Sequence, residues 1–131
     1  MKKQGFGAIV LMASDQAFVA KEQCAIYGAT KAAIAQLAKS TALDYATYGI
    51  RVNCVCPGTI DTPMYQAVIS QFQQKTGLAA SLIREQVAKK LPLQRVGKPE
   101  EVAELVGFLC SEASSFMTGA LINIDGGYTI Q

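Results

Sequence analysis

Twenty-five residues, 24–48, run without a proline through alanine and other strong helix formers until Gly49 stops them. Such a helix is about 37 Å long. It stands between two short apolar runs, Ala8 to Ala13 and Ile50-Arg-Val-Asn-Cys-Val-Cys56. Strands joined by so long a crossover cannot form a hairpin, so they are expected to pair in parallel. The run from Ala8 to Ala13, apolar at every position, reads as a strand buried on both faces.

The remaining chain repeats the logic. Pro57-Gly58 closes the second strand, and the polar stretch 15–23 reads as a loop. Asp61-Thr62-Pro63 offers a capping oxygen followed by a first-turn proline. Helical stretches near 63–75 and 79–90 follow, split by Gly77 and ended by Pro92. A third opens at Gly97-Lys-Pro99-Glu-Glu101, whose glutamates suit a positive helix end, and runs to about Ser111. Leu121 to Asp125 reads as a third strand, closed by Gly126-Gly127. The order β–α–β–ααα–β predicts an α/β fold with three parallel strands and flanking helices, in one domain over 1–131.

Composition removes several function classes. Half the residues are hydrophobic, 17% are charged and the net charge is +2, which suits a globular chain and offers no basic surface for nucleic acid. No apolar run approaches the 18 or so residues of a membrane span. The opening MKKQGFGAIVLMAS imitates a signal peptide, but its apolar core is too short and too rich in strand formers. Histidine is absent, which removes the commonest general base and, with no C-x-x-C pair, the zinc-ligand spacings. No metal is expected. Cys24, Cys54, Cys56 and Cys110 read as reduced thiols, and the expected compartment is cytoplasmic.

Tyr27 and Lys31 are one helical turn apart and share a face. An ammonium beside a phenol stabilises the phenolate, so the pair can move a proton to or from an alcohol or carbonyl without histidine. A Y-x-x-x-K spacing also arises by accident. Ser14 and Pro57-Gly58 stand at strand ends, where open parallel sheets bind ligands, and Tyr27 lies in the first turn of the helix after the first strand.

These blocks resemble the C-terminal half of the short-chain dehydrogenase/reductase family. The matching features, in order, are Ser14, Tyr27-Gly-Ala-Thr-Lys31, the segment from Ile50 to Gly58, Thr59-Ile-Asp-Thr62, Gly97-Lys-Pro-Glu-Glu-Val102, Thr118-Gly119 and Asp125-Gly-Gly127. The resemblance implies half of a Rossmann-like doubly wound parallel sheet and hydride transfer between NAD or NADP and a small alcohol or carbonyl substrate. It implies that Tyr27 is the general acid/base, that Ser14 holds the substrate oxygen, and that Lys31 tunes the phenol and holds the nicotinamide ribose. Pro57, Gly58, Ile60 and Thr62 would line the nicotinamide, and the helices of 63–90 would cover the substrate.

A dinucleotide site also needs a glycine-rich strand-to-helix turn for the pyrophosphate. Gly5-Phe-Gly7 precedes a strand and opens no helix. By the family pattern the turn lies upstream of Met1, and the N-terminal dinucleotide-binding half is expected to be absent. The first strand then becomes an apolar edge, which invites a homo-oligomer, dimer or tetramer, or assembly with the missing half. The chain alone is expected to be inactive; the alternatives are a non-catalytic remnant acting as an oligomerising module, or a proteolytic fragment.

Overall fold

A computed structural model describes residues 1–131. Seven principal elements follow in order: β1 (Gly7–Met12), α1 (Ala25–Tyr45), β2 (Ile50–Pro57), α2 (Pro63–Thr76), α3 (Ala80–Lys89), α4 (Pro99–Cys110) and β3 (Leu121–Ile124). Short 3-10 turns occupy Asp15–Ala17, Ala46–Tyr48, Glu112–Ser114 and Tyr128–Ile130. The sheet order is β1-β2-β3 and both pairings are parallel, with Met12 opposite Val55 and Pro57 opposite Ile124. All three strands therefore end at one edge.

β2 is the centre, and its two faces are built differently. Ile50, Val52, Cys54 and Cys56 alternate along one face and pack with Ala13, Ala35, Ala38 and Ala42. The small alanines of α1 let the helix backbone sit close to the sheet. On the other face Asn53, 1% exposed, is satisfied at both ends of its amide: Nδ2 donates to Met117 O at 2.8 Å and Oδ1 accepts from Ala120 N at 3.1 Å. Arg51 reaches across the same loop, donating to Ser114 Oγ and Ser111 O at 3.0 Å each. A buried polar group without such partners would cost about 1–3 kcal/mol, so these two side chains pin residues 111–120 over the sheet.

β1 differs from the sequence expectation. It is half-buried rather than buried on both faces, and Met12 is exposed. The physical reason is its position: β1 is an edge within these residues, covered on its faces only in part by α1 and α4. The stretch 15–23 also holds a 3-10 turn rather than plain loop, capped by Ser14.

The helix ends follow their chemistry. Thr62 Oγ1 accepts from Tyr65 N at 3.3 Å and Pro63 takes the first turn of α2. Glu101 Oε2 accepts the N–H of Lys98, the residue before α4. Gly49 closes the helical run at φ +68°, and a Cβ there would stand 2.2 Å from Gly5 O. A smaller cluster of Tyr65, Ile69 and Ile83 joins α2 to α3, apart from the main core. No helix is long and apolar enough to cross a membrane.

Candidate active site

Tyr27 and Lys31 lie on the same stripe of α1 as Ala35, Ala38 and Ala42, the alanines that meet the sheet. In a crossover helix the N-terminal turns overhang the C-terminal edge of the strands, so the stripe leaves the sheet there and its side chains become available. The Lys31 Nζ stands 5.5 Å from the Tyr27 ring centroid and donates to Met12 O, the last carbonyl of β1, at 3.3 Å. That bond fixes the ammonium at the strand tip. Tyr27 is 40% exposed, and its hydroxyl bonds to no protein group.

Ser14 follows β1 and is buried. Its hydroxyl donates to Asp15 Oδ1 at 2.8 Å and accepts from Gln16 N at 3.2 Å. Asp15, 1% exposed, is paired through its other oxygen with Lys21 Nζ at 2.6 Å, and Lys21 also lies 4.6 Å from the Tyr128 ring centroid. The turn carrying Ser14 packs on the start of α1, where a Cβ on Gly28 would sit 3.7 Å from Gln16 O. Ser14 and Tyr27 thus belong to two segments in direct contact.

Pro57 ends β2 and Gly58 follows it. Gly58 N donates to Ile124 O at 3.1 Å, and a Cβ at Gly58 would approach Asp125 Cα to 2.8 Å. Only glycine lets the two strand tips close this tightly. Ile60 pairs with Gly97 in an isolated parallel bridge, so the chain between β2 and α2 is held against the loop before α4. Thr62 is the α2 cap. Burial alone would raise the Asp125 carboxyl; the hydroxyl and N–H of Thr129 and the N–H of Gly127 outweigh it and hold the group below its usual value.

Two thiols beneath this edge, Cys54 and Cys56, are free and buried. Burial pushes Cys56 up to about 12, and the neighbouring Cys54 adds to the effect. Burial also raises Cys54, against smaller opposing contributions from the Cys56 thiol, the Ala13 backbone and Lys31. No group of three or more His, Cys, Asp or Glu side chains is gathered to hold a metal.

Sequence reasoning named Ser14, Tyr27, Lys31 and the 57–62 segment, which lie along the strand-end edge, and did not single out the buried Asp15–Lys21 pair beside Ser14. The available signal was an acidic residue directly after a strand-end serine in a turn that also carries a lysine. Asn53 was equally legible, as an amide inside an otherwise apolar strand.

A family model described as enoyl-(acyl carrier protein) reductase matches residues 1–129. A short chain dehydrogenase family protein from Francisella tularensis superposes with a TM-score of 0.93 at 51% identity, over 95% of this chain and 51% of that one. L-Sorbose reductase from Gluconobacter frateurii, solved with NADPH and L-sorbose, gives 0.94 at 33% identity, over 100% and 50%. Cis-4-hydroxycyclohexanecarboxylate dehydrogenase from Sinomonas cyclohexanicum is 43% identical over 129 residues, 98% of this chain and 47% of that protein. The chain spans about half the length of these relatives. It belongs to the short-chain dehydrogenase/reductase family, whose fold and oxidoreductase ancestry it shares.

Proposed function

We propose that these residues are the catalytic half of an NAD(P)-dependent oxidoreductase that interconverts a small alcohol and its carbonyl. The observation that carries the reading is the Tyr27–Lys31 pair, tied to Met12 O at the strand edge where Ser14 and Gly58 also stand.

The nicotinamide end of a dinucleotide fits the groups present. Lys31 Nζ has one protein acceptor for its three donors, and the Tyr27 hydroxyl has none. Lys31 would hold the ribose hydroxyls, and Thr62 with the backbone of Pro57, Gly58 and Ile60 would meet the carboxamide. When bound, the cofactor supplies the hydride donor or acceptor. No glycine-rich strand-to-helix turn for the pyrophosphate occurs in these residues, so a dinucleotide-binding half must come from adjoining chain or from a partner.

Tyr27 Oη gives its proton to the carbonyl oxygen during reduction, or takes the alcohol proton during oxidation. The Lys31 ammonium stands on the same helix face, 5.5 Å from the Tyr27 ring centroid. Ser14 Oγ holds the substrate oxygen beside Tyr27. Its own O–H is donated to Asp15, so Ser14 meets an alcohol as a hydrogen-bond acceptor and turns to donate to a carbonyl. The lid of α2 and α3 would cover the substrate.

NADPH fluorescence titration tests the division of labour. The 131 residues alone should show no saturable binding in the micromolar range. Joined to the polypeptide encoded upstream, they should bind NADPH and reduce members of a panel of ketohexoses and cyclic ketones. In that protein Tyr27→Phe should lower turnover by about 100-fold or more with little change in thermal midpoint. Unchanged turnover would remove Tyr27 from the chemistry.

A second reading, an interaction module, draws on the bare outer face of α1, where Ile26 is 84% and Leu37 57% exposed. Association through that face is compatible with either role.

A further inference from the structure

Ser14 caps the turn Asp15–Ala17, and both bonds of its hydroxyl are local. The oxygen accepts from Gln16 N at 3.2 Å, and the O–H is donated to Asp15 Oδ1 at 2.8 Å. A hydroxyl has one donor and two acceptor positions. In Ser14 the donor is taken and one acceptor position is open.

The carboxylate that takes the donor is itself enclosed. Asp15 is 1% exposed, and each of its oxygens has one partner: Ser14 Oγ at Oδ1 and Lys21 Nζ, 2.6 Å away, at Oδ2. The ammonium is held by a second element as well, since the Tyr128 ring centroid lies 4.6 Å from it. Tyr128 belongs to the turn after β3, which Asp125 ties down by accepting from Gly127 N, Thr129 N and Thr129 Oγ1. Segments after β1 and after β3 therefore meet at Lys21, and Lys21 is fixed on the far oxygen of Asp15 from Ser14.

This arrangement treats the two substrate forms unequally. An alcohol can donate to the open position on Ser14 Oγ and leave the Ser14–Asp15 bond whole. A carbonyl has no proton to donate, so Ser14 must turn its O–H away from Asp15 to meet it. That turn exchanges a charged acceptor for a neutral one and leaves Oδ1 buried without a donor.

We propose that Asp15 is a positioning residue that acts through Ser14 to favour the alcohol over the carbonyl in the bound state. The inference rests on the reading that Ser14 receives the substrate oxygen. It adds to that reading a residue that discriminates between the two ends of the reaction without touching either.

The test uses the chain joined to the polypeptide encoded upstream, saturated with NADPH, and two inert probes titrated by calorimetry. One is a tertiary methylcyclohexanol, which donates an O–H and has no hydrogen to give as hydride. The other is N-methylpiperidone, a lactam whose carbonyl only accepts hydrogen bonds and resists reduction. The readout is the ratio of the two affinities. Asp15→Asn keeps a neutral acceptor and should move the ratio toward the lactam by about threefold; Asp15→Ala removes the acceptor and should move it by about tenfold. A purely structural role for Asp15 would weaken both probes together and leave the ratio fixed, whatever the loss in thermal midpoint.

An unchanged ratio in Asp15→Ala, or a shift toward the alcohol, overturns the inference while ketone reduction by the native joined protein leaves the reading of the site standing. Failure of either probe to bind an active joined protein also overturns it, because Ser14 would then be out of reach of one of the two forms. A joined protein that neither binds NADPH nor reduces any ketone removes the reading and the inference with it.

Discussion

The hydroxyl of Ser14 donates to Asp15 Oδ1 at 2.8 Å, so the O–H of the strand-tip serine is directed at a carboxylate only 1% exposed. Lys21 supplies that carboxylate's counter-charge at 2.6 Å from a side chain that remains 27% exposed. The two ends of the ion pair are therefore unequal. Lys21→Met strands a buried charge, while Asp15→Asn leaves an ammonium that can turn to water. Urea unfolding should show a loss of about 2–3 kcal/mol for Lys21→Met and about 1 kcal/mol for Asp15→Asn. The reverse order would mean that Asp15 is not held by Lys21 in solution.

Gly49 and Gly77 both have positive φ, +68° and +72°, but different surroundings. A Cβ at Gly49 would collide with the Gly5 carbonyl, whereas nothing lies within 4 Å of one at Gly77. Gly77→Ala should cost about 1 kcal/mol from conformation alone. Gly49→Ala adds a backbone clash and should cost about 2 kcal/mol more. Equal thermal midpoints for the two variants would show that the N-terminal turn does not pack on the end of α1.

The thiols make a prediction in alkali. Cys56 is raised to about 12 in the folded chain, so it binds its proton more tightly there than when unfolded. Its stabilising contribution is whole below the unfolded value near 8.5 and is lost as pH rises toward the folded value. Between pH 8 and pH 10 the native chain should lose about 1–2 kcal/mol more stability than Cys56→Ala does, read as the difference in urea midpoints. In native chain at pH 8, a thiol reagent should label exposed Cys110 first, and Cys54 and Cys56 only on unfolding. Early labelling of Cys56 would contradict its burial.

Ile26 and Leu37 are eleven positions apart, about three helical turns, and so stand on one line of α1 opposite the buried alanines. An apolar line of that kind is suited to a second copy of the helix. Sedimentation should show self-association of the native chain, shifted toward monomer by Leu37→Glu with the far-ultraviolet helix signal intact. A dimer undisturbed by Leu37→Glu would assign the contact elsewhere, the open edge of β1 being the next surface to change.

Much of the fold was legible because it is written in local chemistry. The 24–48 helix and its stop need only alanine, the absence of proline and one glycine, and they recur as α1, a 3-10 turn and Gly49. Thr62 and Pro63 announce α2 through capping and a missing N–H, and the structure uses both. The parallel pairing follows from crossover length. Burial of β1 was less legible, because an apolar run does not reveal which neighbours will cover it.

The site divides along the same line. Spacing alone put Tyr27 one turn from Lys31, and the ends of apolar runs put Ser14 and Gly58 at strand tips. Only the tertiary structure decided that Lys31 is tied to Met12 O, that the Ser14 hydroxyl donates to Asp15, and that Tyr65 carries an unpaired hydroxyl. Periodicity and capping act within a few residues and are therefore written in the chain. The partner of a side chain, or its lack of one, depends on which distant segments the sheet and its crossovers bring together, and that is fixed only when the core packs.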